Sequence, residues 1–328
     1  MSQFILRRFL FFVPMMFLMS VVAFGIIVAP PGDFVSELVA QLEVDGSPLS
    51  LQERDVIRIE YGLDQPIYVQ YWKWVKGVVV WDLGYSLAFN RPVTELVNDR
   101  LLMTVLLGLF TIVFTWTMAI PIGIISAVKQ YSIIDYFFTF LSYLGVGTPN
   151  FMLALLLMYG ALTLFNWSVL GLFSYEYVDA PWSFGRFVDM VKHIWVPMVI
   201  LGTSGTARFT RIVRANLLDE LSKPYVETAR AKGLPEWKVV LKYPARIAMN
   251  PFVSTAGWSL PELFSGSLIV ATVMSLPTVG PLLLDALLAQ DMYMAGSIIL
   301  ILTGLTVIGT LISDIILAWM DPRIRIRA

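Results

Sequence analysis

Charged positions divide the 328-residue chain into long apolar runs. Stretches free of Asp, Glu, Lys and Arg cover 9–32, 101–128, 136–175, 193–207, 247–261, 263–284 and 292–313. A helix crosses a 30 Å hydrocarbon core with about 20 apolar residues at 1.5 Å each. The runs at 9–32, 101–128 and 292–313 therefore each predict a membrane-spanning helix. The first is long for a secretory leader, and Val28-Ala-Pro-Pro-Gly-Asp33 follows it in place of a small-x-small cleavage site, so it reads as a retained span. Run 136–175 holds either one tilted span or two short ones broken at Gly145-Val-Gly-Thr-Pro149. The region 247–284, interrupted only by Glu262, holds one span plus a re-entrant segment.

The sign of the charges decides the count. Loop 208–250 carries nine basic residues against four acidic ones, whereas segment 33–100 carries six basic and eleven acidic. Basic loops stay cytoplasmic. Arg7 and Arg8 place the N-terminus on that side, and Arg323, Arg325 and Arg327 place the C-terminus there too. One span within 136–175 and one within 251–284 satisfy all of these at once. The expectation is an all-α membrane protein with six helices near 9–30, 101–127, 136–165, 191–208, 251–273 and 292–316, both ends cytoplasmic. Its parts are residues 1–32 with the first span, an external insertion at 33–100, and a core at 101–328 that includes loop 208–250.

The insertion starts with a polar stretch, Glu43-Val-Asp-Gly-Ser-Pro-Leu-Ser50, and continues with a helix pattern over 51–61. Tyr68, Tyr71, Trp72, Trp74 and Trp81 follow. Such rings favour a membrane–water boundary, so the segment reads as a collar on the headgroups or as a surface that receives a partner.

Composition narrows the chemistry. Charged residues make up 14% and hydrophobic ones 57%, with mean hydropathy +0.74, against about 25% charge in soluble domains. Lipid must solvate much of the chain. A net charge of −1 offers no global field for nucleic acid. There is no Cys, His193 is the only His, and Gly-Lys never occurs, so thiolate chemistry, histidine-rich metal sites and a phosphate-cradling loop have no residues to build them. An intramembrane enzyme would lack a nucleophile–base pair. Glu262 stands in a predicted span, where a carboxylate costs roughly 2.5–3.5 kcal/mol on insertion scales and faces the bundle interior or water. Glu262 and nearby Ser265 are candidate pathway residues. Arg208, Arg211 and Arg214 share one helix face at i, i+3, i+6 and read as anchors of the fourth span at the interface. His193 is placed at the outer end of that span.

Within loop 208–250, Ser222 precedes Pro224 as a capping residue, helix formers run from Val226 to Lys232, Gly233 stops the helix, and Leu234-Pro-Glu236 starts a second one reaching about Lys242. The pattern is a compact knob of two short helices. Ala229 and Ala231 give it little bulk, as close packing into a partner's groove requires.

Tyr225-Val-Glu-Thr-Ala-Arg-Ala-Lys-Gly-Leu234 resembles the Glu-Ala-Ala loop of ABC-importer permeases, in the form of the dipeptide/oligopeptide family. The resemblance continues through Leu6-Arg-Arg8, Gly62-Leu-Asp-Gln-Pro66, Asp82-Leu-Gly-Tyr-Ser86, Pro149-Asn-Phe151, Ser275-Leu-Pro-Thr-Val-Gly280 and Asp321-Pro-Arg-Ile-Arg325, in order over nearly the whole chain. Two positions depart from it: Ala271-Thr-Val-Met-Ser-Leu-Pro277 lacks the family's Glu, and Glu262 stands where small or polar residues are usual. The resemblance implies a type I importer permease of a bacterial or archaeal inner membrane. It implies a second six-helix permease chain as partner in a heterodimer, two cytoplasmic ATPase subunits that bind ATP and magnesium in place of any cofactor in this chain, and an external solute-binding protein. Carried over by position, Tyr225, Glu227, Thr228, Ala229, Arg230, Ala231, Lys232, Gly233 and Leu234 form the coupling element, with Gly233 at the bend and Glu227 and Arg230 as polar contacts to the ATPase. The implied cargo is short peptides, with oligosaccharides and then nickel complexes as alternatives. A self-sufficient secondary carrier is the rival class.

Overall fold

The computed structural model describes residues 2–29, 32, 34–44, 50–60, 62–178 and 180–320; within these, the side chains of 2–9, 41, 44, 60, 251, 253–266 and 317–320 fall outside the description. The chain is mostly helical. Its helices are α1 (Ser2–Val28), α2 (Phe34–Val44), α3 (Leu51–Glu60), α4 (Ile67–Val79), α5 (Val93–Val128), α6 (Ile133–Gly147), α7 (Asn150–Phe165), α8 (Phe184–Leu221), α9 (Pro224–Ala231), α10 (Glu236–Lys242), α11 (Pro244–Val273), α12 (Val279–Leu288) and α13 (Met292–Met320). A two-residue hairpin, β1 (Tyr85–Ser86) and β2 (Arg91–Pro92), precedes α5.

Among the described residues, Leu10–Val28, Val93–Val128 and Met292–Ile316 are long and apolar enough to cross a membrane, and the pair α6–α7 adds a fourth crossing if it counts as one. The expected helix over 136–165 is broken in two. Pro149 pushes Thr148 into extended backbone (φ −96°, ψ 120°), and the axis turns by 105° there. The cluster preceding the break divides its work. Gly145 lies where a Cβ would meet Thr203 and Ala207 of α8 at 3.1–3.3 Å, whereas Gly147 has nothing within 4 Å.

The fourth expected span, 191–208, is the middle of a much longer helix. α8 has 38 residues, about 57 Å at 1.5 Å per residue. Its centre reads Gly202-Thr-Ser-Gly-Thr206, polar for a lipid-facing helix. Ile200, Leu201, Gly202, Ala207, Phe209, Thr210 and Val213 are buried against protein, so lipid is not its main neighbour. α5 and α11 likewise run beyond the uncharged runs that announced them, because the charged residues at their ends continue the helix.

The chain packs as two units. Of the described residues, those within 2–104 and 278–307 form one unit, and those within 105–277 and 308–320 form the other. In the first, α4 lies on α1 and on the first turns of α13. Trp74 stacks on Phe24 at 5.7 Å and donates from Nε1 to Ser297 Oγ at 3.1 Å, and Gly296 leaves room for its ring. Tyr71 and Ser20 hydroxyls meet at 2.8 Å. The aromatic run therefore splits: Trp74 is core, while Tyr68, Trp72 and Trp81 are exposed. Buried Asp291 caps α13 through Met294 N and also accepts from Ser86 Oγ at 2.6 Å and Ala88 N, fastening the hairpin. In the second unit, α8 is packed by α6, α7 and α11. Phe209 and Phe252 meet edge to face at 4.9 Å beside Ala119 and Val213.

Candidate functional site

The knob predicted in loop 208–250 is present as α9 and α10, joined through Lys232-Gly-Leu-Pro235. Pro224 occupies the first turn of α9, where no backbone donor is needed. Ser222 does not cap it. Its hydroxyl donates back to Asp219 O at 2.8 Å and closes α8, and the N-cap position belongs to Lys223, whose side chain makes no cap bond. Gly233 has φ +76°, the left-handed conformation that ends α9, with its N–H bonded to Arg230 O at 2.9 Å. The bend expected at this glycine is therefore real, and its surroundings are open, with nothing within 4 Å of an added Cβ.

Val226, Ala229 and Val239 are buried and form the centre of the knob, with Leu221, Tyr225, Leu234 and Tyr243 packed around them. Ala229 thus serves the knob's own packing, while Ala231 points outward. Tyr225 donates to Glu220 Oε2 at 2.6 Å, tying α9 to the last turn of α8; burial and that bond push its phenol up. Arg230 grips Glu236 with two bonds, Nε to Oε2 at 3.1 Å and Nη2 to Oε1 at 2.7 Å. The same bonds raise the Arg230 guanidinium and hold the Glu236 carboxyl below the usual range. Arg230 is therefore engaged inside the knob, bridging its two helices across the glycine. Thr228 returns its hydroxyl to Pro224 O at 3.0 Å.

What remains outward on α9 and its C-terminal cap is Glu227, Thr228, Ala231 and Lys232. The second helix adds a surface that the sequence reading passed over. Trp237 and Leu241 are 63% and 53% exposed. They stand four residues apart, on one side of α10, while Val239 and Val240 are buried. That alternation was visible in Glu236-Trp-Lys-Val-Val-Leu-Lys242, but a seven-residue helix shows its inward face only once its packing is known. The knob presents a small mixed surface, charged on α9 and apolar on α10, on a scaffold braced by one ion pair and one phenol–carboxylate bond. It contains no arrangement of nucleophile and base.

Of the other candidates, Glu262 and Ser265 lie in α11 with side chains outside the described residues. The arginine face of α8 does more than anchor at an interface. Arg214 makes a bidentate bond to Asp135 of α6, and Arg211 lies over the Tyr143 ring at 5.8 Å. His193 sits in the third turn of α8, its Nδ1 2.8 Å from Asp189 O and 3.7 Å from Asp189 Oδ1. Asp189 in turn accepts from the backbone N–H and hydroxyl of Ser174 in the preceding loop. Among the described residues no group of acids and histidine is placed to hold a metal ion.

Comparison with known proteins gives this architecture its relatives. The family model for the binding-protein-dependent transport system inner membrane component matches residues 119–326, and the one for the N-terminal part of such membrane components matches residues 1–108. The chain is 34% identical over 325 residues to the oligopeptide transport system permease protein AppB of Bacillus subtilis (strain 168), covering 99% of each. It is 30% identical over 343 residues to the dipeptide transport system permease protein DppB of Escherichia coli (strain K12), again covering 99% of each. A third relative, the glutathione transport system permease protein GsiC of Salmonella paratyphi A, is 31% identical over 325 residues and is covered to 99%. The apolar helices, the matches to both parts of the chain and the full-length relatives agree: the chain belongs to the binding-protein-dependent transport system inner membrane components, the permeases of ABC importers.

Proposed function

We propose that the chain is one of two permease subunits of an ATP-driven peptide importer, and that residues 222–243 are its contact with a cytoplasmic ATPase subunit. Peptide cargo follows from the relatives, whose names are those of oligopeptide, dipeptide and glutathione permeases. The complex contains a second six-helix chain, two ATPase subunits that bind ATP and magnesium, and an external solute-binding protein. Six crossings with both ends cytoplasmic bring the +5 loop 208–250 to the inside and leave the −5 segment 33–100 outside.

The observation that carries the reading is the knob itself. It is a pair of short helices with its own buried centre at Val226, Ala229 and Val239, inserted between α8 and α11 and seated through Val240 against Ala127 of α5, Leu217 of α8 and Ala245 and Ala248 of α11. Closure of an ATPase dimer displaces it, and because Tyr225–Glu220 and the Val226–Val239 core make it stiff, α8 and α11 follow as rigid bodies and switch the cavity between outward and inward access. Glu227 and Lys232 supply charge for the docking, and Trp237 and Leu241 supply apolar area. Glu262 and Ser265 are retained as candidate lining residues.

The test uses the whole complex reconstituted in vesicles, with ATP hydrolysis and labelled dipeptide uptake measured together. At Gly233 any L side chain must adopt φ +76°, which costs about 1–2 kcal/mol. Gly233→Val is expected to raise the ATP hydrolysed per peptide imported, and Gly233→Asn, which tolerates this backbone, to do so less. Trp237→Ala, at an exposed position, is expected to weaken ATPase retention on purification with the thermal midpoint unchanged. Normal stoichiometry in Gly233→Val together with full ATPase retention in Trp237→Ala would sink the proposal.

A further inference from the structure

We infer that Asp135 and Arg214 form a clasp that makes α6 travel with the knob-bearing end of α8, so that knob displacement reaches the bent pair α6–α7 as well as the helices covalently attached to the knob. The inference rests on the knob as the ATPase contact and adds the route by which its movement spreads.

Arg214 lies seven residues before the end of α8, about 10 Å from the knob. Its Nε donates to Asp135 Oδ1 and its Nη2 to Asp135 Oδ2, both at 2.8 Å. This fork-to-fork geometry fixes orientation as well as distance. Asp135 is 2% exposed, and its remaining acceptor capacity is taken by Tyr131 N at 3.0 Å and Thr139 Oγ1 at 3.5 Å. Ser132 caps the same turn through Asp135 N at 3.2 Å. The carboxylate is thus built rigidly into the first turn of α6, where any pull from Arg214 acts on the helix backbone.

The clasp does not stand alone along this seam. Tyr143 faces Arg211 two turns further along α6, and Gly145 brings α6 against Thr203 and Ala207. On another side of α8, Gly123 of α5 leaves no room for a Cβ, which would fall 2.7 Å from Val213 Cβ. Small residues let helices approach closely in a membrane but contribute no directional side-chain bond. Among these contacts the bidentate ion pair supplies the directional lock. An apolar pair of similar volume would serve stability as well or better, so an ion pair here is explained by registry between two helices. Asp135 and Arg214 are positioning residues: they touch neither peptide nor ATP.

The test again takes the complete complex. In Asp135→Asn and in Arg214→Gln the complex is expected to co-purify with its ATPase and hydrolyse ATP, while ATP consumed per peptide imported rises roughly tenfold, the size of an ordinary coupling energy. The exchange Asp135→Arg with Arg214→Asp restores the pair and is expected to bring stoichiometry back to within about threefold of the parent. A second measurement holds whether or not those variants fold. The chain has no Cys, so spin labels at Phe140→Cys and at Lys223→Cys, an exposed position at the start of α9 whose side chain makes no cap bond, report the α6-to-knob distance on an otherwise intact clasp. That distance is expected to be the same with and without trapped ATP. A nucleotide-dependent change in it overturns the clasp, as does an assembled Asp135→Asn complex with parental stoichiometry, or uptake and hydrolysis falling in proportion in both single variants with no recovery in the exchange. If Gly233 and Trp237 variants leave coupling untouched, the underlying reading of the knob fails instead.

Discussion

Arg230 and Glu236 illustrate how a single residue's role depends on its neighbour across a turn. By position Arg230 was free to meet a partner protein; by geometry it closes the knob on itself, because the left-handed turn at Gly233 brings Glu236 back over it. Both side chains are about half exposed, so the pair is worth no more than a surface salt bridge, about 0.2–1 kcal/mol. Its pH dependence has a definite sign. The Glu236 carboxyl is held below its ordinary value by the Arg230 bonds, so the pair stabilises the knob fully above the unfolded carboxylate's pKa of about 4.3. That stability is lost as pH falls through the lower folded value. Amide exchange of α9, corrected for intrinsic rate, is expected to give flat protection from neutral pH down to about 5 and falling protection below about 4. Glu236→Gln removes the fall. The residues of this turn were legible where chemistry alone decides, as at Gly233 and Pro224. They were not where packing decides: Ala229 faces inward and Trp237 outward because α10 folds back onto Val226, and nothing in an eight-residue helix announces on which side its neighbour will lie.

Helices α5, α6 and α8 show the same limit at the scale of elements. Uncharged runs located all three, yet the helices overrun them, since Glu95, Arg208, Arg211, Arg214 and Glu220 are good helix residues once a helix is under way. The break at Thr148-Pro149 was written in the sequence as a proline, but its 105° angle was not. Nor did any pattern show which glycines mark close approach. The structure separates them, and the separation is testable. Gly123→Ala places a methyl group 2.7 Å from Val213 Cβ and 3.0 Å from Thr210 O, against a backbone that cannot yield cheaply. Overpacking of this kind costs about 1–3 kcal/mol. Gly147→Ala meets open space and at an exposed helical position is neutral or slightly favourable, within about 0.5 kcal/mol. Thermal unfolding of the purified complex is expected to rank Gly123→Ala clearly below the parent and Gly147→Ala beside it. Equal midpoints for the two would show that α5 and α8 are not in the contact described.

For the whole molecule the open element is the bent pair, because its crossing number sets the side on which the knob lies. α6 and α7 have 15 and 16 residues, about 22 and 24 Å, so neither alone spans a 30 Å core. As one broken span the pair puts Lys129 and Tyr175 on opposite faces; as a re-entrant hairpin it puts them on the same face. Geometry permits both. Charge chooses between them: a re-entrant pair would send the +5 loop 208–250 outward, against the rule that basic loops stay inside. It would also carry the knob away from any cytoplasmic ATPase. Cysteine labelling reads the answer without background, since the chain contains no cysteine. Lys129, Tyr175 and Lys232 are all exposed. In intact cells a membrane-impermeant maleimide is expected to label Tyr175→Cys at once, and Lys129→Cys and Lys232→Cys only after permeabilisation. Labelling of Lys232→Cys from outside would place the knob on the wrong face, and with it would fall the importer's coupling mechanism and the clasp built upon it.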